Sequence, residues 1–427
     1  MAEKFIINGG KRLKGEIEVR GAKNAAFPII AATLLTNEEC EISNLPLIED
    51  VFRMIEIVKS MGARVSWVGE RSIRIKASDI DPQEVREDLI CLLRGSVLFF
   101  GPLLARFSKV RLPRPGGCVI GARPIDTHLD GFSQMGIENN FDGKRYFLEN
   151  KDKSRSSSGN KEVVLNEFSV TATENLMLCA SLIPVKTVIK TADQDYQVQE
   201  LAGFLRKMGV KIRGAGGHKI VVEGVKKLKG AKHNLIYDPI EAGTFMLTAA
   251  ATKGKVLVKN AEISYLDLPL KKLRDFGVNC EICGKKAVQI FPWKNLKIDK
   301  IQSLPYPGIP SDLQSAFGVL ATRARGSTLI HDPLYEGRLK YLEELNKMGA
   351  EIYFADPHRA IVNGPTKLQG RELRSLDLRG GAALIIAGLI AKGETTINNI
   401  YQVDRGYEKI EERLQAIGAD IKRIHNN

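Results

Sequence analysis

Hydrophobic and polar positions along the chain alternate between two helical patterns. One is amphipathic, as in Leu342-Glu343-Glu344-Leu345-Asn346-Lys347-Met348, with apolar residues on one stripe only. Each such run ends at a glycine set between apolar residues: Gly62, Gly136, Gly209, Gly277, Gly349 and Gly418. The intervals are 74, 73, 68, 72 and 69 residues, too regular for chance. A glycine closing an amphipathic run predicts a left-handed C-cap, so all six need a positive φ. The second pattern is small and apolar on most faces, which predicts buried helices beginning near Lys23, Arg94, Thr171, Glu241, Asp312 and Arg379.

Strand-like stretches complete each repeat. Lys219 to Leu235 and Ala360 to Leu373 read as strand pairs around a Lys-Leu-x-Gly turn, and the same text stands at Phe5 to Val19. The N-terminus therefore supplies the strands missing after the sixth amphipathic helix. The expected fold is α/β (α+β), with six βαβαββ-type repeats in two lobes of three. One lobe spans residues 21–236. The other combines 1–20 with 237–427, leaving two chain crossings as a hinge and the cleft between lobes as the expected ligand site. Residues 151–161, rich in Ser and Lys, read as a mobile low-complexity loop in the first lobe.

Composition narrows the function. The 427 residues are 44% hydrophobic, enough for several cores. The longest apolar run, Gly380 to Ala391, is twelve residues, short of the roughly 20 that span a bilayer. Met1-Ala2-Glu3-Lys4 opens no signal peptide, so a cytoplasmic protein without membrane contact is expected. A net charge of +13 admits nucleic acid or small anions, but the basic residues are dispersed and aromatics are 7%, which disfavours nucleic acid.

The helix starts carry unexpected polar and charged residues: Lys23, Asn24, Arg94, Asp312 and Arg379. A cation at a helix N-terminus opposes the dipole at about 0.3–1 kcal/mol, whereas an anion there is favoured. Either an anionic substrate offsets that cost or each cation pairs with a neighbouring carboxylate. The loop from Leu112 to Pro124 is the other oddity, with Gly116, Gly117 and Gly121 around Cys118 and with Arg114 and Arg123 nearby. An exposed loop beside two arginines favours a thiolate, so Cys118 reads as a reactive thiol. Cys40, Cys91 and Cys179 read as small buried hydrophobes. Cys280 and Cys283 lie on a strand and face opposite ways, and no histidine shows ligand spacing, so no metal is expected. Arg213 to Gly217 reads as a hairpin turn rather than a phosphate loop.

Several of these stretches together resemble the UDP-N-acetylglucosamine 1-carboxyvinyltransferase family of enolpyruvyl transferases. They are Gly21-Ala22-Lys23-Asn24-Ala25-Ala26, the Pro-Gly-Gly-Cys-x-Ile-Gly-Ala-Arg-Pro loop, Ser311-Asp312, Asp377-Leu378-Arg379 and Asp404-Arg405-Gly406-Tyr407-Glu408. The resemblance runs the whole chain and implies two inside-out α/β barrels. It implies transfer of enolpyruvyl from phosphoenolpyruvate to the 3′-hydroxyl of UDP-N-acetylglucosamine, the first committed step of peptidoglycan synthesis, without cofactor or metal and in a monomer. Catalysis would fall to Cys118 as general acid, Asp312 as base, Lys23 and Arg405. Lys23, Arg123 and Arg405 would bind phosphoenolpyruvate, with Arg94 and Arg379 near. Asn24 would hold the sugar, Arg123, Pro124, Ile125, Asp126 and Thr127 would border the uracil, and Ser169, Val170 and Thr171 would meet the diphosphate. Leu334, Tyr335, Arg338 and Asp377 would complete the substrate contacts.

The chain departs from that pattern at Thr171, where many members carry glycine, around Asp195-Tyr196-Gln197, and at Pro239. Thr lacks glycine's freedom at positive φ, which leaves the acceptor open. Two alternatives stand beside this reading. A shikimate-type enolpyruvyl transferase would lack the loop cysteine and carry Lys in place of Arg405. A silent nucleotide-sugar-binding relative would have lost one of Lys23, Cys118, Asp312 and Arg405.

Overall fold

The computed structural model describes residues 3–117, 120–151 and 159–425. Cys118 and most of the Ser- and Lys-rich loop therefore lie outside the described residues. The chain divides into two compact units, one of residues 1–20, 119–122 and 237–427, the other of 21–118 and 123–236. The segment 119–122 groups with the first of these, an exchange that the sequence does not signal.

Six sheets are formed among the described residues, three in each unit, five of four strands and one of three. Six apolar helices stand in the expected order: Lys23–Ala32, Phe100–Arg106, Val170–Ala180, Pro239–Ala251, Ser311–Ala321 and Leu378–Ile390. Every residue of Pro239–Ala251 is buried, which explains why no polar stripe interrupts it. The second of the six departs from expectation: Arg94–Phe99 is a 3-10 turn, and the α-helix starts only at Phe100.

The six capping glycines have φ between 85° and 112°, as the amphipathic runs require. A further repeat signal lies one residue past the strand that follows a buried helix. Asn44, Thr191, Asn260 and Asn399 all adopt positive φ there, three of the four being Asn, which tolerates that region.

The expected strand pairs are not hairpins. Lys219–Glu223 pairs within one sheet of its unit, whereas Lys232–Asn234 joins another, parallel to Glu39–Ser43. Arg359–Gly364 and Glu372–Arg374 likewise part, as do Glu3–Asn8 and Lys14–Glu18. The Lys-Leu-x-Gly turn hands the chain from sheet to sheet. Its leucines, Leu13, Leu228 and Leu368, are buried at 1–2% exposure and anchor the turn. At Gly230 and Gly370 an added Cβ would overlap the carbonyl oxygens of Glu39 and Glu394, so the neighbouring strand passes too close for any side chain.

These hand-overs close each unit on itself. Glu3–Asn8 inserts between Glu394–Asn398 and Asp420–His425, so the N-terminus completes the sixth sheet. Lys14–Glu18 lies parallel to Lys255–Lys259 in the same unit. Lys232–Asn234, the last strand of the other unit, completes the sheet of its first strand, Glu39–Ser43. The three-stranded sheet lacks a parallel edge strand because the segment before its buried helix is itself helical, Glu87–Leu92. That helix turns Cys91 outward, so the thiol expected to be buried is exposed. Lys211–Arg213 and Lys219–Glu223 are antiparallel, making Arg213 to Gly217 the hairpin turn expected.

Candidate active site

In the unit of residues 1–20 and 237–427, the charged starts of two buried helices form one hydrogen-bonded cluster. Asp377 caps Leu378–Ile390, its Oδ1 accepting from the amides of Arg379 at 3.0 Å and Gly380 at 3.1 Å. Asp312, second in Ser311–Ala321, is held through both oxygens. Arg338 Nη2 lies 3.0 Å from Oδ1 and Arg379 Nη2 lies 2.9 Å from Oδ2. Arg338 also stands 3.5 Å from Asp377. Both guanidiniums are buried, at 5% and 3% exposure, which alone would pull their pKa down, yet the carboxylates around them push both up. The ion-pair alternative for these charges is thus realised within the unit.

Tyr407 extends the cluster. Its ring lies under the Arg379 guanidinium at 5.3 Å, and its hydroxyl meets Thr244 Oγ1 at 2.8 Å. Burial pushes the Tyr407 phenol up and keeps it a neutral donor. Asp238 caps Pro239–Ala251 through the amides of Ile240 and Glu241, and burial raises its carboxyl. Pro239 sits at the first helical position, where a missing N–H costs nothing, so this departure from the resemblance is accounted for locally. Arg405 is 7% exposed with Nη1 3.1 Å from Gln402 Oε1. It joins the cluster through its chain neighbours, since Gly406 packs on Leu378 and Tyr407 on Arg379. Leu334 is exposed, and Arg338 stacks over the Tyr335 ring at 5.4 Å.

In the other unit, Lys23 opens the first buried helix with Nζ 2.8 Å from Asp50 Oδ2 and 5.6 Å from the centre of the Phe27 ring. Gly95 packs flat on Phe27, which brings Arg94 to the same patch, and Arg94 Nη2 donates to the Pro124 carbonyl at 2.7 Å. Asn24 and Arg123 are half-buried, Pro124 and Asp126 exposed, and Ile125 buried at the start of Asp126–Gln134. Thr127 Oγ1 donates to Glu167 at 2.9 Å. The glycines of the Pro-Gly-Gly loop are close-packed rather than merely permissive. A Cβ at Gly116 would overlap the Cys91 carbonyl, and one at Gly117, with φ of 120°, would lie 2.7 Å from Arg94 Cβ. Neither position leaves room for a side chain.

Ser169 caps Val170–Ala180 by accepting from the Ala172 amide at 3.4 Å. Thr171 lies inside this helix, in ordinary helical backbone, so glycine's freedom is not needed there and that concern falls away. Its hydroxyl instead meets His128 Nε2 at 3.1 Å. Asn175 settles the polarity: its Oδ1 accepts from the Gly101 amide, so its Nδ2 must donate to His128 Nδ1 at 2.9 Å. Nε2 then carries the ring proton and Thr171 Oγ1 accepts it. Burial, with Arg94 nearby, holds the imidazole neutral by lowering its pKa to about 3. No group of three or more His, Cys, Asp or Glu suited to a metal occurs among the described residues.

Sequence reasoning missed Asp50, Asp332 and His128, which bond to residues it did single out, and Asn175, which orients His128. Asp332 alone carried a signal, standing where three other repeats have a positive-φ Asn.

Comparison with known proteins identifies the family. A sequence description of the family EPSP synthase (3-phosphoshikimate 1-carboxyvinyltransferase) matches residues 7–414. UDP-N-acetylglucosamine 1-carboxyvinyltransferase 1 of Caldanaerobacter subterraneus subsp. tengcongensis is 42% identical over 423 residues, covering 99% of this chain and 100% of the relative. UDP-N-acetylglucosamine 1-carboxyvinyltransferase of Halothermothrix orenii is 43% identical over 424 residues, covering 99% of each. The crystal structure of the enolpyruvyl transferase NikO from Streptomyces tendae superposes with a TM-score of 0.87 over 100% of both chains at 24% identity, a likeness of fold. The chain belongs to the EPSP synthase family of enolpyruvyl (carboxyvinyl) transferases.

Proposed function

We propose that the protein transfers the enolpyruvyl group of phosphoenolpyruvate to the 3′-hydroxyl of UDP-N-acetylglucosamine, releasing phosphate, and so opens peptidoglycan synthesis. The observation that carries this reading is 42–43% identity over 99% of the chain to relatives bearing that enzyme's name.

The reaction is an addition followed by an elimination. The sugar oxygen bonds to C2 of phosphoenolpyruvate as C3 gains a proton, and C3 then returns a proton as the C2–O bond to phosphate breaks. In our reading Cys118 delivers the proton to C3 and Asp312 receives the hydroxyl proton. Lys23, Arg94, Arg123, Arg379 and Arg405 supply positive charge for a substrate with carboxylate and phosphate groups. Asn24 holds the sugar, and residues 123–127 with Leu334, Tyr335, Arg338 and Asp377 hold the rest of the nucleotide.

Ser169, Val170 and Thr171 stand at the start of a buried helix, whose positive dipole end suits a diphosphate. The Asp312 geometry supports its role, because two arginines fix the carboxylate in one orientation. We read each unit as a three-repeat lobe and the protein as a monomer. The test is phosphate release from phosphoenolpyruvate with a panel of acceptors. Release with UDP-N-acetylglucosamine and not with shikimate 3-phosphate supports the reading, and the reverse overturns it.

A further inference from the structure

Asp332 is fully buried directly after the strand Gly326–His331, and the substrate contacts inferred above do not use it. Its two carboxylate oxygens serve different masters. Oδ1 accepts from the backbone amides of Leu334 at 3.1 Å and Tyr335 at 3.2 Å, fixing that turn. Oδ2 accepts from Ser311 Oγ at 2.6 Å. Ser311 Oγ in turn accepts from Arg338 Nε at 2.9 Å, and Arg338 Nη2 reaches Asp312 Oδ1 at 3.0 Å.

The direction of this chain is forced. A guanidinium only donates, so Ser311 must accept from Arg338 and spend its single proton on Asp332, which only accepts. The Asp332 backbone is pinned as well: its amide donates to the His358 carbonyl at 2.9 Å, and its carbonyl accepts from His358 Nδ1 at 2.7 Å. The turn Asp356-Pro357-His358-Arg359, with no role in the chemistry above, thereby gains one.

We propose that Asp332 is a positioning residue that aligns Arg338, and through it Asp312, by way of Ser311, while its other oxygen separately fixes the Leu334–Tyr335 turn. This rests on the functional reading above for the identity of the substrates. It goes beyond that reading in assigning the alignment of Asp312 and the setting of the Leu334–Tyr335 turn to different oxygens of one buried carboxylate. A displacement of even about 1 Å in a catalytic group can cost on the order of a hundredfold in rate.

The test compares kcat and both KM values of the full-length wild type with Ser311→Ala, Asp332→Asn and the double variant. Asn keeps one oxygen for the two amides but places an NH2 group against Ser311. Both single variants should lower kcat about tenfold or more, raise KM for UDP-N-acetylglucosamine by a smaller factor than the loss in kcat because Arg338 also meets the nucleotide, and not multiply when combined, because both cut the same chain. A kcat within about twofold of wild type in either single variant, or multiplicative losses in the double variant, overturns the proposal. A merely structural role would lower the thermal midpoint without this split between kcat and KM.

Proton exchange at Arg338 Nε, followed by nuclear magnetic resonance, gives a readout free of turnover. It should be slow in wild type and quicken in Ser311→Ala, and equal exchange in the two proteins overturns the proposal. Wild type that does not turn over these substrates defeats the functional reading alone, and the exchange measurement then still decides the alignment.

Discussion

Lys23 Nζ lies 2.8 Å from Asp50 Oδ2 with both side chains almost wholly buried, so the cation that opens the first buried helix is held by a carboxylate from the amphipathic helix Glu49–Ser60. Removing one member of a buried ion pair leaves the other exposed to its full desolvation cost. Asp50→Ala should therefore cost on the order of 3 kcal/mol, read as a lower denaturation midpoint. Asp50→Asn, which keeps the shape, should fold and change KM for phosphoenolpyruvate more than KM for the nucleotide sugar. An Asp50→Asn variant altered only in the latter would contradict the role given to Lys23.

The thiols offer an internal control. Cys91 and Cys283 are exposed and Cys40 is buried, its thiol pushed up to about 11 by burial. A general alkylating agent should reach Cys91 and Cys283. The phosphonate epoxide fosfomycin should select Cys118, whose loop carries Arg114 and Arg123, and inactivate the enzyme with a single adduct there. Cys118→Asp should resist it and retain some activity. Mass spectrometry that finds the adduct on Cys91 or Cys283 would count against Cys118 as the reactive group.

His128 fixes a pH dependence of stability. Its pKa is lowered to about 3 in the folded protein, so below about pH 6.5 the unfolded chain takes up a proton that the folded chain refuses. Stability should fall as pH drops, by up to about 1.4 kcal/mol per unit. His128→Gln should flatten that slope between pH 7 and pH 5 in thermal melts. Thr171→Val, which leaves the Nε2 proton without its acceptor, should cost about 1–3 kcal/mol. An unchanged slope in His128→Gln would show that the imidazole is not held neutral.

Glu174 acts in the opposite direction. It is fully buried, neither carboxylate oxygen has a hydrogen-bond partner among the described residues, and burial with Asp195 and Asp193 nearby raises its pKa well above the usual range. The folded protein keeps the proton that the unfolded chain releases above about pH 4.5, so this contribution to stability is lost as pH rises. Glu174→Gln should become progressively more stable than wild type between pH 5 and pH 8. A difference that does not change with pH would mean that Glu174 is ionised in the folded state.

The repeat architecture was legible because each glycine cap and each apolar helix is a local necessity: a left-handed residue at Gly209 or a fully buried Pro239–Ala251 leaves its mark in adjacent residues. Sheet membership was not. Lys219–Glu223 and Lys232–Asn234 read as a strand pair in sequence, and their separation shows only in the fold, where Lys232–Asn234 joins Glu39–Ser43. Lys23, Asp312 and Arg379 were legible as charges where an apolar helix needs none. Asp50 and Asn175 were not, because their partners are distant in sequence, 27 residues from Lys23 to Asp50 and 47 from His128 to Asn175. The concern over Thr171 was misplaced because resemblance indicates which residue usually stands at a position, not that its backbone there is strained.

Whether the acceptor is the 3′-oxygen of UDP-N-acetylglucosamine is decided by the structure of the product. Incubation with phosphoenolpyruvate labelled at C2 and UDP-N-acetylglucosamine should yield one phosphate per turnover and a product whose labelled carbon is joined to the 3′-oxygen, as seen by carbon–proton coupling in nuclear magnetic resonance. An unchanged nucleotide sugar, together with label appearing on shikimate 3-phosphate offered in its place, would contradict it.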